Sequence, residues 1–125
     1  MALVNLTEAT LNETIENNNT VIIDFWAPWC GPCKSFGPIY EKTAEQYPDI
    51  VFGKVNTEDE QAVAGQFQIR SIPTTVILKE GIMIFQQAGV MPEESIKDVI
   101  KQVQELDMDV VRKEIEEQQK QEGDK

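Results

Sequence analysis

The chain has no histidine and only two cysteines among its 125 residues. A zinc site built on cysteine needs a second pair or histidines beside the first. Here it would need another chain or several carboxylates. Cationic residues are also scarce: 11 Lys and Arg stand against 22 Asp and Glu, a formal net charge of −11. Such a surface repels phosphate backbones and anionic lipid, so nucleic-acid and membrane-surface binding fit poorly and the acidity reads as solubility. No apolar run approaches the length that spans a bilayer. The opening Met1-Ala2-Leu3-Val4-Asn5-Leu6-Thr7-Glu8 carries no basic flank and no long apolar stretch, so it does not match a signal peptide. A cytoplasmic, reducing location is the expectation, and a disulfide there would be transient. The sequence shows no internal repeat.

What is present suits one domain. Hydrophobic residues make up 41% of the chain, enough for a core. Val4–Leu6 reads as a short strand, and Thr7 and Thr10-x-x-Glu13 are helix-start signals before Leu11 and Ile15. Asn17-Asn18-Asn19 ends that helix. Val21–Trp26 is nearly continuous in apolar residues, the pattern of a strand buried on both faces. A helix from about Cys33 to Tyr47 contains Pro38, which is expected to kink it. Ile50–Val55 reads as a strand, and Thr57-x-x-Glu60 as a capping box opening a helix through Phe67. Thr74–Leu78 and Ile82–Phe85 form a hairpin around Lys79-Glu80-Gly81. Pro92-Glu93-Glu94 opens the last helix, with acids at the positive end of its dipole. Its stripe of Ile96, Val99, Ile100, Val103, Leu106 and Val110 predicts one helix continuing well past the domain. The polar end from Glu116 reads as a solvated helix end or a disordered tail. Alternating strands and helices followed by a hairpin predict an α/β fold, a mixed five-stranded sheet with four helices on its two faces.

The two cysteines lie in Trp29-Cys30-Gly31-Pro32-Cys33-Lys34, directly after the most apolar strand and at the start of a helix. Residues three apart on a first helical turn share a face, so the two α-carbons meet disulfide limits with little movement. A disulfide closing four residues stabilises by only about 2 kcal/mol before strain is subtracted. The pair is therefore better suited to opening and closing than to stapling. Cys30 stands at the positive end of the helix, beside unpaired amides. A dipole contribution of up to ~2 kcal/mol lowers a thiol pKa by about 1.5 units, which makes Cys30 the nucleophile and Cys33 the resolving thiol. Asp24 lies inside the doubly buried strand. Burial raises a carboxyl pKa and a nearby cation lowers it, and a carboxyl tuned toward neutrality exchanges protons.

The segment Trp29–Lys34 resembles the active-site motif of the thioredoxin family at every position, and the likeness runs from about residue 3 to 106. A nucleophile pKa near 7 is a known property of that family, so the shift above follows it rather than predicting it. The element order is also that of the thioredoxin fold. Asp24 corresponds to the family's buried aspartate, Lys54 to the lysine that tunes it, and Ser71-Ile72-Pro73-Thr74 to the loop carrying its cis-proline. The resemblance implies that Asp24 accepts and returns a proton. It implies that the Ile72 backbone pairs with an extended substrate segment by strand addition. Trp29, Gly31, Pro32, Ile72, Pro73, Gly89 and Val90 then form an apolar docking patch, with Trp26 in the core.

The implied activity is protein-disulfide reduction, contributing to cell redox homeostasis. No bound cofactor is implied. The Cys30–Cys33 disulfide forms reversibly, and a flavin-dependent thioredoxin reductase recharges it with NADPH. The expected partners are that reductase and disulfide-containing proteins, the expected state a monomer. The expected boundaries are 1–106 for the domain and 107–125 for an acidic C-terminal helical extension or tail. Three departures stand out: Pro28 replaces the charged or polar residue of many relatives, Gly37 before Pro38 is expected to loosen the second helix, and Asp107–Lys125 extends beyond the usual domain end. Two other readings keep the motif. An oxidase or isomerase would share the site at a higher reduction potential, which the Gly-Pro pair and the missing signal peptide oppose. A non-catalytic binding module would use the apolar patch or the tail.

Overall fold

The computed structural model describes residues 3–123; expectations that fall on Met1, Ala2, Asp124 and Lys125 lie outside the described residues. Five strands form one sheet in the order β1-β3-β2-β4-β5. They are β1 (Leu3–Asn5), β2 (Thr20–Trp26), β3 (Val51–Asn56), β4 (Thr74–Lys79) and β5 (Ile82–Ala88). β1 and β2 flank β3 in parallel, while β4 runs antiparallel to β2 and β5 antiparallel to β4. The helices are α1 (Glu8–Asn17), α2 (Gly31–Glu45), α3 (Gln61–Gln66), α4 (Glu93–Glu105) and α5 (Met108–Gly123).

Period-two alternation along β2 sorts its side chains to two cores. Ile22 packs with Phe36, Tyr40, Phe52, Ile77, Ile96 and Ile100, under α2 and α4. Val21, Ile23 and Phe25 pack with Leu11, Val55, Val63 and Val76, under α1 and α3. Each such side chain, once covered, stabilises the fold by roughly 1.5–3 kcal/mol. Asp24 has the parity of Ile22, so its carboxyl enters the core beneath α2 and the residue is fully buried.

The two-residue turn of the hairpin, Glu80-Gly81, has positive φ at both positions, 51° and 79°. That twist matches the flanking strands. β5 then extends three residues past the expected Phe85, after an irregularity in its pairing with Ile77 and Leu78. α2 begins at Gly31 rather than Cys33 and runs through Pro38.

Two helix starts differ from expectation. Thr57 does not cap α3: its hydroxyl donates to the Trp26 carbonyl at 3.1 Å, and the helix starts four residues later, at Gln61. Glu60 instead serves α1, its carboxylate accepting the Glu8 N–H at 3.0 Å. The single long last helix is replaced by two. Leu106 is extended (φ −65°, ψ 133°), and the Asp107 carboxylate accepts the N–H groups of Asp109 at 3.0 Å and Val110 at 3.4 Å. A carboxylate at that position starts a new helix. From the other side, the Lys79 ammonium donates to the carbonyls of Val103 at 2.7 Å and Leu106 at 3.3 Å, closing α4. The apolar stripe changes face at the break. Val110, expected in the stripe, is half exposed, while Met108 is buried.

Candidate functional site

The site stands where β2 ends and α2 begins. Cys30 is the residue before α2, with extended backbone (φ −84°, ψ 113°), and Pro32 occupies the first turn. Proline fits there because the first turn lacks intrahelical acceptors for its N–H groups. The Cys33 N–H donates to Cys30 Sγ at 3.2 Å, so the Cys30 sulfur lies over the amide end of the helix. The two sulfurs are at disulfide-bonding distance, with α-carbons 5.2 Å apart. Both cysteines are buried to a similar degree, while Trp29, Gly31 and Pro32 around them are exposed. Ala27, Trp26 and Ile72 pack against the pair.

Three loops meet at the dithiol. The Ile72–Pro73 peptide is cis, and the Ile72 carbonyl oxygen lies 3.8 Å from Cys30 Sγ. The Gly89 N–H donates to the Pro73 carbonyl at 2.8 Å, which holds the loop after β5 against this one. Gly89 has φ +99°, a conformation that favours glycine. Half-buried Ile72, exposed Gly89 and exposed Val90 join exposed Trp29, while Pro73 itself is buried. Of the residues expected in the docking patch, Pro73 is the one that is buried.

Asp24, Lys54 and Thr75 are register partners across β2, β3 and β4. Burial is the main cause that lifts Asp24 to about 7 from 3.8; Lys54 pulls it down and Glu41 pushes it up. Neither Asp24 oxygen has a hydrogen-bond partner among the described residues, and the Thr75 hydroxyl and Trp26 Nε1 are likewise unpartnered. The Lys54 ammonium lies elsewhere: 3.6 Å from the Glu41 carboxylate and 5.0 Å over the Trp26 ring. Tyr40 stands beside Asp24 in the α2 core. Its hydroxyl is 2.8 Å from the Gly53 carbonyl and 3.0 Å from that of Ile22. Burial, then the charge of Asp24, raises its pKa well above the usual tyrosine value.

Sequence reading missed Tyr40, Glu41, Thr75 and Glu58, whose carboxylate accepts the Trp29 indole N–H at 2.6 Å. Apolar spacing offers no signal for the role of these residues, because sheet register and the seating of α2 decide what faces Asp24, and the Glu58–Trp29 bond joins residues 29 positions apart. No group of three or more Cys, Asp or Glu among the described residues is arranged to hold a metal ion.

A cysteine pair at a helix tip, within reach of bonding and beside a cis-proline loop, defines a thiol–disulfide exchange site. A family model described as Thioredoxin matches residues 2–102. The putative thioredoxin 2 of Streptomyces coelicolor is 53% identical over 120 residues, covering 96% of this chain and 90% of that protein. Thioredoxin 1 of Synechococcus elongatus is 41% identical over 97 residues, covering 76% and 91%. The structure of a mutant thioredoxin from Halobacterium salinarum aligns with a TM-score of 0.78 at 31% identity, covering 84% of this chain and 93% of that one. The chain belongs to the thioredoxin family. It has the thioredoxin fold with a further C-terminal helix, and it is a protein-disulfide oxidoreductase that works by dithiol–disulfide exchange at Cys30 and Cys33.

Proposed function

We propose that the exchange runs in the reducing direction, with each site residue in the role its position suggests. The Cys30 thiolate attacks one sulfur of a substrate disulfide. The substrate S–S bond breaks, a mixed disulfide forms, and the first substrate sulfur leaves as a thiolate. Asp24, directly or through one water, takes the proton of Cys33. The Cys33 thiolate then attacks Cys30 Sγ, the intramolecular disulfide closes, and the second substrate sulfur leaves. Two electrons pass from the dithiol to the substrate. Lys54 tunes Asp24. Ile72, beside Pro73, offers its backbone to an extended substrate strand, with Trp29, Gly31, Pro32, Gly89 and Val90 completing the surface.

One observation carries the assignment of Cys30 as the attacking sulfur: it lies against the first-turn amide of Cys33 at 3.2 Å. Amide dipoles stabilise a thiolate there and not on a sulfur one turn along. The reading extends to recharging by a flavin-dependent thioredoxin reductase that draws on NADPH, with no cofactor resident in this chain. It also extends to cytoplasmic work: both cysteines belong to the exchange pair, so no structural disulfide calls for an oxidising compartment. A monomer is proposed, since large apolar residues exposed away from the docking face are few among the described residues: Met83, Leu106 and Val110. Residues 1–106 form the catalytic domain and 107–125 the helical extension in this reading.

The test is insulin-disulfide reduction driven by NADPH and a thioredoxin reductase. Cys30→Ser abolishes turnover, and Cys33→Ser retains substrate as a mixed disulfide visible on a non-reducing gel. Full turnover by Cys30→Ser would refute the assignment.

A further inference from the structure

Asp24 is a buried carboxyl with a lysine opposite it in register, yet the two make no hydrogen bond. A lysine free to move would be drawn to a buried carboxylate, since both charges gain from pairing away from water. Lys54 is instead engaged by Glu41 of α2 at 3.6 Å and by the Trp26 ring at 5.0 Å. Glu41 is half exposed, while its partner is largely covered.

We propose that Glu41 is a positioning residue for the proton step: its carboxylate holds the Lys54 ammonium off Asp24 and adds a second negative charge above the buried acid. The inference rests on the reading of Asp24 as proton acceptor, and deepens it. Among the elements packed around Asp24, β3 contributes Lys54, β4 the uncharged Thr75, α2 Tyr40 and Glu41, and α4 the apolar Ile96 and Ile100. Lys54 and Glu41 are therefore the charges that bear on it. Glu41 acts in one direction by two routes. It repels negative charge on Asp24, and it weakens the attraction that Lys54 would exert. Asp24 thereby retains its affinity for a proton near neutrality, where a carboxyl both accepts and returns one.

The test is a carboxyl-carbon NMR titration of Asp24 in the full-length oxidised protein, where no thiol titrates alongside. Glu41→Gln removes the charge and keeps the size at a solvent-facing position. The Asp24 midpoint is expected to fall, on the order of half a pH unit. Glu41→Asp, with a shorter reach to Lys54 but the same charge, is expected to fall between wild type and Glu41→Gln. An unchanged or higher midpoint in Glu41→Gln overturns the inference. The pH profile of the Cys33-dependent release step, measured on the same variants, separates this from the reading beneath it. If that profile follows the NMR midpoint downward, both stand. If the midpoint falls while the profile stays, Glu41 governs Asp24 but Asp24 is not the proton acceptor.

Discussion

Asp24 shows how one residue sets stability against reactivity. Its pKa is raised from 3.8 to about 7 in the folded protein, mainly by burial. Between those values the folded state holds a proton that the unfolded state has released. Stability therefore falls as pH rises from about 4 to about 7 and is level above that. The integrated loss is about 4 kcal/mol, from one pKa unit being worth 1.36 kcal/mol. Replacing Asp24 with Asn removes the titration. Denaturant unfolding of the oxidised protein should show Asp24→Asn more stable than wild type at pH 8.5 by a few kcal/mol, with the gap narrowing steadily toward pH 4. A constant gap across that range would show that burial does not raise this carboxyl. The sequence made Asp24 legible as a buried acid, because it interrupts an otherwise apolar run. It did not make Glu41 legible, because an acidic residue on a helix surface looks alike whether or not a lysine on the next element reaches it.

At the scale of elements, side chains borrowed from elsewhere decide where helices end. Lys79, the last residue of β4, is buried, and its ammonium satisfies the carbonyls of Val103 and Leu106 where α4 stops. Of these, the bond to Val103 is buried; leaving that carbonyl unpaired costs about 1–3 kcal/mol, and a cation at the C-terminus also meets the helix dipole favourably. Lys79→Met keeps the apolar stem and removes the donor. It is expected to lower unfolding free energy by about 1–3 kcal/mol in urea. A loss under about 0.5 kcal/mol, the range of an ordinary surface change, would mean the carbonyls are satisfied without it. The apolar stripe of the last helix was legible, but the break within it was not. Asp107 as a new cap and Lys79 as a remote one act locally and across the fold respectively, and neither disturbs a count of apolar spacings. The same holds for Thr57 and Glu60, which match a capping pattern in sequence yet bond to Trp26 and Glu8.

For the whole molecule, the dithiol and the extension occupy opposite ends of the sheet. β4 starts next to Pro73 at the exchange site and ends at Lys79 beside the turn where Glu80 meets Arg112 of α5 at 2.8 Å. Buried Met108 anchors the start of α5, and most of the helix beyond is exposed. Removing residues 107–125 should leave insulin-disulfide reduction within about twofold of the full chain, while unfolding free energy drops by about 1–3 kcal/mol, the worth of one buried apolar side chain. A loss of activity larger than tenfold would show that the extension reaches the exchange site or its partners.

Local sequence was enough for the order of elements, the helix-tip cysteine pair and the acid within the central apolar strand. Each is written in neighbouring residues: an apolar run, a Gly-Pro turn, a spacing of three. Only the tertiary structure settled which charges stand around that acid and which side chains from other elements serve the helix ends. These depend on strand register and helix seating, which bring together residues far apart along the chain, such as Asp24 and Lys54 or Lys79 and Val103. Local pattern carries no record of such meetings, because they follow from how the two cores pack on either face of the sheet.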